Sequence, residues 1–97
     1  MSFRLLPRAI ADIEAIAETI AVENPSAAEA WIDTIYRKCR LLADNPEMGP
    51  ARDMIRAGMR IIPAGNYLML YHLQGRNVEI VRVIHGARDL KNILNGF

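Results

Sequence analysis

The second half of the sequence contains four side chains whose types suit the recognition of a negative charge or acid–base chemistry: Arg60, Arg82, His85 and Arg88. A guanidinium group forms forked, charge-assisted hydrogen bonds with carboxylate and phosphate oxygens. A histidine near the end of a strand can act as a general acid or base close to neutral pH. These four residues are therefore the first candidates for a functional site.

Charge is distributed unevenly along the chain, although the net charge is only +1. Residues 1–48 carry five basic and eight acidic side chains, which gives −3. Residues 49–97 carry seven basic and three acidic ones, which gives +4. Because the positive half holds the candidate arginines, we expect it to meet an acidic partner.

The sequence offers little else for catalysis. Its one cysteine, Cys39, excludes an internal disulfide and falls within an apolar helical stripe, where a buried thiol is inert. No Cys/His spacing predicts a metal site, and no P-loop, GxGxxG, HExxH or GxSxG motif occurs, so we expect neither metal nor cofactor. The residues predict a binding surface more readily than an active site.

Length and hydropathy indicate one soluble domain. The 97 residues fit a single core spanning 1–97, and the hydrophobic share of 52% excludes disorder. The longest wholly apolar runs, such as Tyr67–Tyr71, are far shorter than the roughly 20 residues of a membrane span, and residues 1–25 lack a signal-peptide layout. We therefore expect a cytoplasmic protein with no membrane partner.

Two long amphipathic helices are predicted in the first half, at about residues 7–23 and 25–44, after a short strand at residues 3–6. The second helix has two overlapping start signals, with either Asn24 or Ser26 as its cap, and the sequence leaves both open. Because the connection is short, the helices should form an antiparallel hairpin.

The second half has the composition of strands. Three segments are rich in β-branched and aromatic residues and are separated by glycine-containing turns: residues 59–62, 67–73 and 78–85. The predicted fold is α+β, an antiparallel helical hairpin packed on a mostly antiparallel sheet in the order β-α-α-β-β-β. A short C-terminal helix should follow, with Asp89 as its cap and Leu90 as the first residue of its apolar face.

The sheet face away from the helices is expected to be exposed and apolar. Alternation along the last strand places Val81 and Val83 on one face and Ile80, Arg82 and Ile84 on the other. Two helices can cover only one face, so a partner should cover the other. We therefore take six residues as candidate contacts with a target or partner: Arg60, Tyr71, Arg82, His85, Arg88 and Leu90.

Several segments, spread over essentially the whole chain, resemble a known family: Leu6-Pro7-Arg8-Ala9, Asn24-Pro25, Asn45-Pro46-Glu47-Met48-Gly49, and the stretches 65–71 and 79–90. They resemble the ParE toxins of the RelE/ParE superfamily, and the last stretch is the most specific. Leu6 departs from the pattern, because relatives place a serine helix cap there; its loss should cost about 1 kcal/mol at most.

The resemblance implies the toxin of a bacterial toxin-antitoxin system. Such a toxin inhibits DNA gyrase by stabilising cleaved gyrase–DNA complexes, and it is not an enzyme. A ParD-type antitoxin would neutralise it in a hetero-oligomer, wrapping an extended and helical tail over the toxin. We expect that tail to be acidic and amphipathic, and we expect no direct sequence-specific binding of nucleic acid.

Two other functions remain open. RelE-like relatives are ribosome-dependent mRNA endoribonucleases, and the first four candidates imitate part of their site. However, no tyrosine follows Tyr71, and Lys38 and Lys91 are the only lysines, so a nuclease would be incompletely equipped. The third possibility is a non-toxic module that only binds the antitoxin. We prefer the gyrase inhibitor.

Overall fold

The computed structural model describes residues 2–86, 88–89 and 91–92, and its element order confirms the predicted α+β fold. The elements are β1 (Ser2–Leu5), α1 (Pro7–Glu23), α2 (Pro25–Asp44), β2 (Arg60–Ala64), β3 (Tyr67–Gln74) and β4 (Asn77–His85). After β4, residues 86, 88–89 and 91–92 are also helical. This last helical segment therefore includes Asp89, which is not the cap that the sequence predicted. Leu90 lies outside the described residues.

Asn24 both ends α1 and starts α2. Its backbone N–H donates to the carbonyl of Ile20 at 3.0 Å, and its side-chain Oδ1 accepts the N–H of Ala27 at 3.0 Å. Pro25 occupies the first helical position, where a missing N–H costs nothing. Of the two start signals, the one with Asn24 as cap is therefore used, and the helices are joined by a single residue.

The sheet has the strand order β1-β4-β3-β2, in which β1 and β4 are parallel and the other pairs are antiparallel. Gly65 and Gly75 open two-residue turns with positive φ angles of 64° and 60°, as type II′ hairpins require. Pro63 was predicted in a turn but lies within β2. An edge strand tolerates it, because one side of the strand needs no N–H donor.

A β-bulge in β4 makes the predicted alternation of its side chains wrong. Leu70 pairs with Arg82 whereas Tyr71 pairs with Ile80, so Val81 is an extra residue between two ladder pairs. As a result Ile80 and Val83 both belong to the cluster beneath the helices, and Val81 belongs to a cluster on the opposite face. The two valines do not share a face.

The main core lies between the helical hairpin and the sheet. It includes fully buried Ile35, Cys39 and Leu42 from α2, and it meets Met69 and Ile80 from the central strands. Within the described residues, no helix has the length and the apolar character that a membrane crossing requires.

The second face of the sheet is also covered, which contradicts the predicted exposed apolar surface. Leu70, Val81 and Ile84 are 0%, 8% and 2% exposed. The segment that precedes β2 packs its Ile55 and Met59 into this second cluster. The prediction was wrong because residues 51–59, a loop without a regular hydrophobic pattern, cover the face that we expected a partner to cover.

Candidate functional site

Arg82 forms a two-point ion pair with Asp12 of α1. Its Nε and Nη2 donate to Oδ2 and Oδ1 of Asp12 at 2.7 and 3.1 Å, and both side chains are 17% exposed. Hydrogen bonding to this carboxylate raises the pKa of Arg82 above its usual value. Asp12 also accepts the backbone N–H of Val83 at 2.9 Å. Arg82 therefore already holds a carboxylate of its own chain.

Asp12 completes an open strand edge. β1 pairs with β4 only as far as Ile80, so the last residues of β4 have no strand on that side among those the structure describes. The Asp12 carboxylate takes the place of a strand carbonyl there, as an acceptor for the N–H of Val83. Asp12 could not be identified from the sequence, because no local signal joins two residues 70 positions apart.

His85 is the cap of the last helical segment. Its Nδ1 accepts the N–H of Arg88 at 3.2 Å, while its own N–H donates to the carboxylate of Asp89 at 3.1 Å. This reciprocal pattern resembles a capping box. The imidazole also packs edge-on against Tyr67, with ring centroids 5.6 Å apart. One ring nitrogen of His85 is thus hydrogen-bonded to the backbone. The guanidinium of Arg88 lies 3.6 Å from the carboxylate of Asp89.

Arg60 and Tyr71 are paired neighbours on β2 and β3, and both anchor the linker of residues 45–50. Tyr71 is fully buried; its hydroxyl donates to the carbonyl of Pro46 and accepts the N–H of Gly49, both at 2.9 Å. Nη1 of Arg60 donates to the carbonyls of Gly49 at 2.7 Å and Glu47 at 3.2 Å. The Tyr71 side chain is therefore not on the surface in this conformation.

The six candidate residues do not form one cluster. Arg82, His85 and Arg88 lie near the end of β4, whereas Arg60 and Tyr71 hold the linker beside β2 and β3. For Leu90 the structure provides no test, since it is not among the described residues. Arg60 therefore does not share one site with the β4 residues, because their side chains bind separate partners.

A buried acidic residue that sequence reasoning did not single out joins β4 to its two neighbours. The Glu79 side chain is 7% exposed, contacts Nε2 of His72 at 2.8 Å and pairs with the guanidinium of Arg4. Hydrogen bonding from His72, followed by that from Arg4, lowers the pKa of Glu79 below its ordinary value of 4.5. The strand register alone brings these three residues together.

An apolar groove with an acidic rim lies where the helical hairpin meets the end of β1. It has a volume of about 360 Å³ and eight lining residues: Leu5, Ile10, Ile13, Glu14, Ala17, Glu18, Ile32 and Tyr36. Ile10 is 42% exposed and Tyr36 is 37% exposed, which is high for large apolar side chains. Glu14 and Glu18 are exposed and lie one helical turn apart. The groove suits an apolar segment that also carries positive charge.

The described part of the chain gives little support to metal or thiol chemistry. Within it, no three His, Cys, Asp or Glu side chains are grouped as metal ligands. Burial raises the pKa of Cys39 to about 12, so its thiol stays protonated and is a poor nucleophile.

Comparison with known proteins identifies the family. The model of the ParE toxin of type II toxin-antitoxin system, parDE, matches residues 3–90. Toxin ParE1 of Mycobacterium tuberculosis is 31% identical over 90 residues, which cover 91% of this chain and 92% of that protein. Toxin RelE2 of Caulobacter vibrioides is 31% identical over 81 residues, which cover 84% and 90%.

A solved structure shows the same fold. A chain of the chromosomal ParDE TA system from P. aeruginosa matches with a TM-score of 0.76 and 22% identity, over 88% of this chain and 95% of that one. The helical hairpin and sheet derived above are therefore the architecture of that chain as well. Since the family model spans nearly the entire sequence, the protein belongs to the ParE toxins of type II toxin-antitoxin systems.

Proposed function

We propose that the protein inhibits DNA gyrase by binding and stabilising cleaved gyrase–DNA complexes, and that a ParD-type antitoxin neutralises it. Membership of the ParE family supports the toxin role. We favour binding over catalysis chiefly because the Arg82 guanidinium already forms two hydrogen bonds with Asp12.

A ribonuclease would need several free cations and an acid–base group around one phosphate. Here Arg82 is paired with Asp12, Nδ1 of His85 caps a helical segment, and Arg60, on the edge strand β2, binds carbonyls of the linker. This arrangement supports a non-enzymatic mechanism. The similarity to toxin RelE2 keeps ribosome-dependent mRNA cleavage as the second candidate.

Expression without antitoxin, together with a supercoiling assay, tests the proposal. We expect growth arrest with induction of the DNA-damage response, and we expect the purified protein to block supercoiling by gyrase. If gyrase supercoils DNA normally in the presence of the protein and ribosome-bound mRNA is cleaved, the ribonuclease function is correct instead. Folded protein that neither arrests growth nor blocks supercoiling would instead indicate a module that only binds antitoxin.

We propose the groove as the docking site of the antitoxin. Burial of the exposed Ile10 and Tyr36 side chains would stabilise the complex, by an amount on the order of 25 cal/mol per Å² of apolar area removed from water. Its rim carries Glu14 and Glu18, so the docking segment should present lysine or arginine at this point. This differs from the acidic, amphipathic tail that the sequence suggested.

Substitution within the groove tests this docking. Ile10→Ser should weaken antitoxin binding by about tenfold, a loss on the order of 1.4 kcal/mol, when measured by calorimetry. Val22→Ser is the matched control, because Val22 is on the same helix, is 85% exposed and does not line the groove. Equal antitoxin affinity in the two variants would exclude the groove as the site.

A further inference from the structure

A compact loop with an exposed methionine lies over the second face of the sheet. We call residues 51–59 the Met54 loop. Its inner side chains, Ile55 and Met59, pack on Leu70 and its neighbours. Four hydrogen bonds within the loop hold its shape: Arg52 N–H to Met59 O at 2.7 Å, Ile55 N–H to Arg52 O at 3.0 Å, Met59 N–H to Arg56 O at 3.0 Å, and Gly58 N–H to Asp53 Oδ1 at 2.9 Å.

The outer side of the loop exposes an apolar side chain that two arginines flank in the sequence. Met54 is 86% exposed, and the exposed Arg52 and Arg56 stand two positions before and after it. The carboxylate of Asp53 accepts a hydrogen bond from the N–H of Gly58, and Nη1 of Arg52 donates to the carbonyl of Ala51 at 2.9 Å, a bond that uses only part of the donor capacity of that guanidinium. The loop thus presents a thioether and guanidinium groups, the side chains that are enriched in the centres of protein interfaces.

The order of the loop matters for binding. A side chain on a preformed loop loses little backbone entropy when a partner covers it, so more of its contact energy remains as affinity. Methionine is also flexible and polarisable, which lets it fill an apolar pocket of irregular shape. Because the loop is anchored by its own hydrogen bonds and by Ile55, substitution of Met54 should leave the fold intact.

We propose that the Met54 loop is a target-binding surface, and that it fits a protein partner with an apolar pocket bordered by carboxylates. The inference rests on the proposed function, since it assigns the loop to the inhibited target. The loop and the groove are on opposite sides of the sheet, because the helices cover one face and the loop covers the other. The target therefore meets a surface separate from the one assigned to the antitoxin.

Variants of Met54 test the proposal with purified gyrase as the probe. Met54→Gln keeps the length of the side chain but removes its apolar end, and we expect at least a tenfold higher concentration for half-inhibition of supercoiling. Met54→Leu should restore potency. The control is Val22→Gln, which changes an equally exposed apolar residue elsewhere. Thermal midpoints and antitoxin affinity should stay unchanged in all three variants.

The outcomes separate this inference from the proposed function. Full potency of Met54→Gln, or a parallel loss of antitoxin affinity, would overturn the role of the loop. If Met54→Gln loses binding to free duplex DNA but binds gyrase normally, the loop contacts nucleic acid, and a protein partner is ruled out.

If the wild-type protein arrests growth without affecting supercoiling, gyrase is rejected as the target, and growth arrest then becomes the readout. A Met54→Gln protein that still arrests growth would reject the loop, and one that does not would support it. A wild-type protein without either effect would reject both proposals.

Discussion

At the scale of single residues, Asp12 has the clearest structural role. One carboxylate holds the guanidinium of Arg82 and the N–H of Val83, and so it joins the first helix to an open strand edge. Asp12→Ala should destabilise the fold by about 2 kcal/mol, because it leaves a largely buried cation and a buried donor without partners. Urea unfolding measures this loss.

A double-mutant cycle separates the ion pair from the rest of the effect. Arg82→Ala should cost less than Asp12→Ala, since Asp12 can still accept from Val83. The coupling between the two positions should be about 1 kcal/mol, given that each side chain keeps some contact with water. Strictly additive losses would show that the pair contributes nothing beyond its separate contacts.

The lowered pKa of Glu79 predicts that the stability of the protein depends on pH. Its pKa is lowered in the folded state by His72 and then by Arg4, so folding stabilises the ionised form. The stabilisation is complete above the ordinary value of 4.5 and is lost as the pH falls from there through the lowered folded pKa. Urea midpoints measured between neutral pH and pH 3 should therefore fall more steeply for the wild type than for Glu79→Gln. The exposed Glu23→Gln variant serves as the control and should follow the wild type. Equal slopes for Glu79→Gln and the wild type would contradict this role.

At the scale of elements, the linker shows how a segment without regular structure can be fixed by its neighbours. A Cβ atom on Gly49 would lie 2.7 Å from the carbonyl oxygen of Ile61 and 2.8 Å from the Tyr71 hydroxyl. Gly49→Ala should therefore destabilise the protein by about 2 kcal/mol, through overpacking and loss of the hydroxyl contact. Met48→Ala, one residue earlier and 44% exposed in the wild type, should change stability by less than about 0.5 kcal/mol. Thermal unfolding compares the two, and equal midpoints would mean that the linker adapts.

Local sequence patterns predicted the elements better than their pairing. The 3.6-residue spacing and the prolines at 7 and 25 located both helices, because these signals act within one turn of chain. The bulge at Val81 could not be predicted, since it exists only relative to the register of β3. The partners of Glu79 also depend on strand register, and the partner of Arg82 depends on how the first helix packs beside β4, so local patterns could not predict these contacts.

At the scale of the whole molecule, the two halves of the chain offer different surfaces. The groove belongs to the negative half and is lined by β1 and the helices, whereas the Met54 loop belongs to the positive half. A hydrophobic core separates them. Under the two proposals above, one part of this 97-residue domain would meet the neutralising partner and another would meet the target.

The acidic rim of the groove should govern how fast the antitoxin binds. Charges of opposite sign speed the encounter of two proteins, and salt screens them over about 8 Å at physiological ionic strength. For the wild type we expect the association rate with antitoxin to fall as salt is raised, while the dissociation rate changes little. The double variant Glu14→Gln, Glu18→Gln should associate more slowly at low salt and show a weaker salt dependence. Glu29→Gln, which removes an acidic group outside the groove lining, is the matched control. Stopped-flow or surface-binding kinetics measure all three proteins, and an unchanged salt dependence in the double variant would show that the antitoxin does not meet this rim.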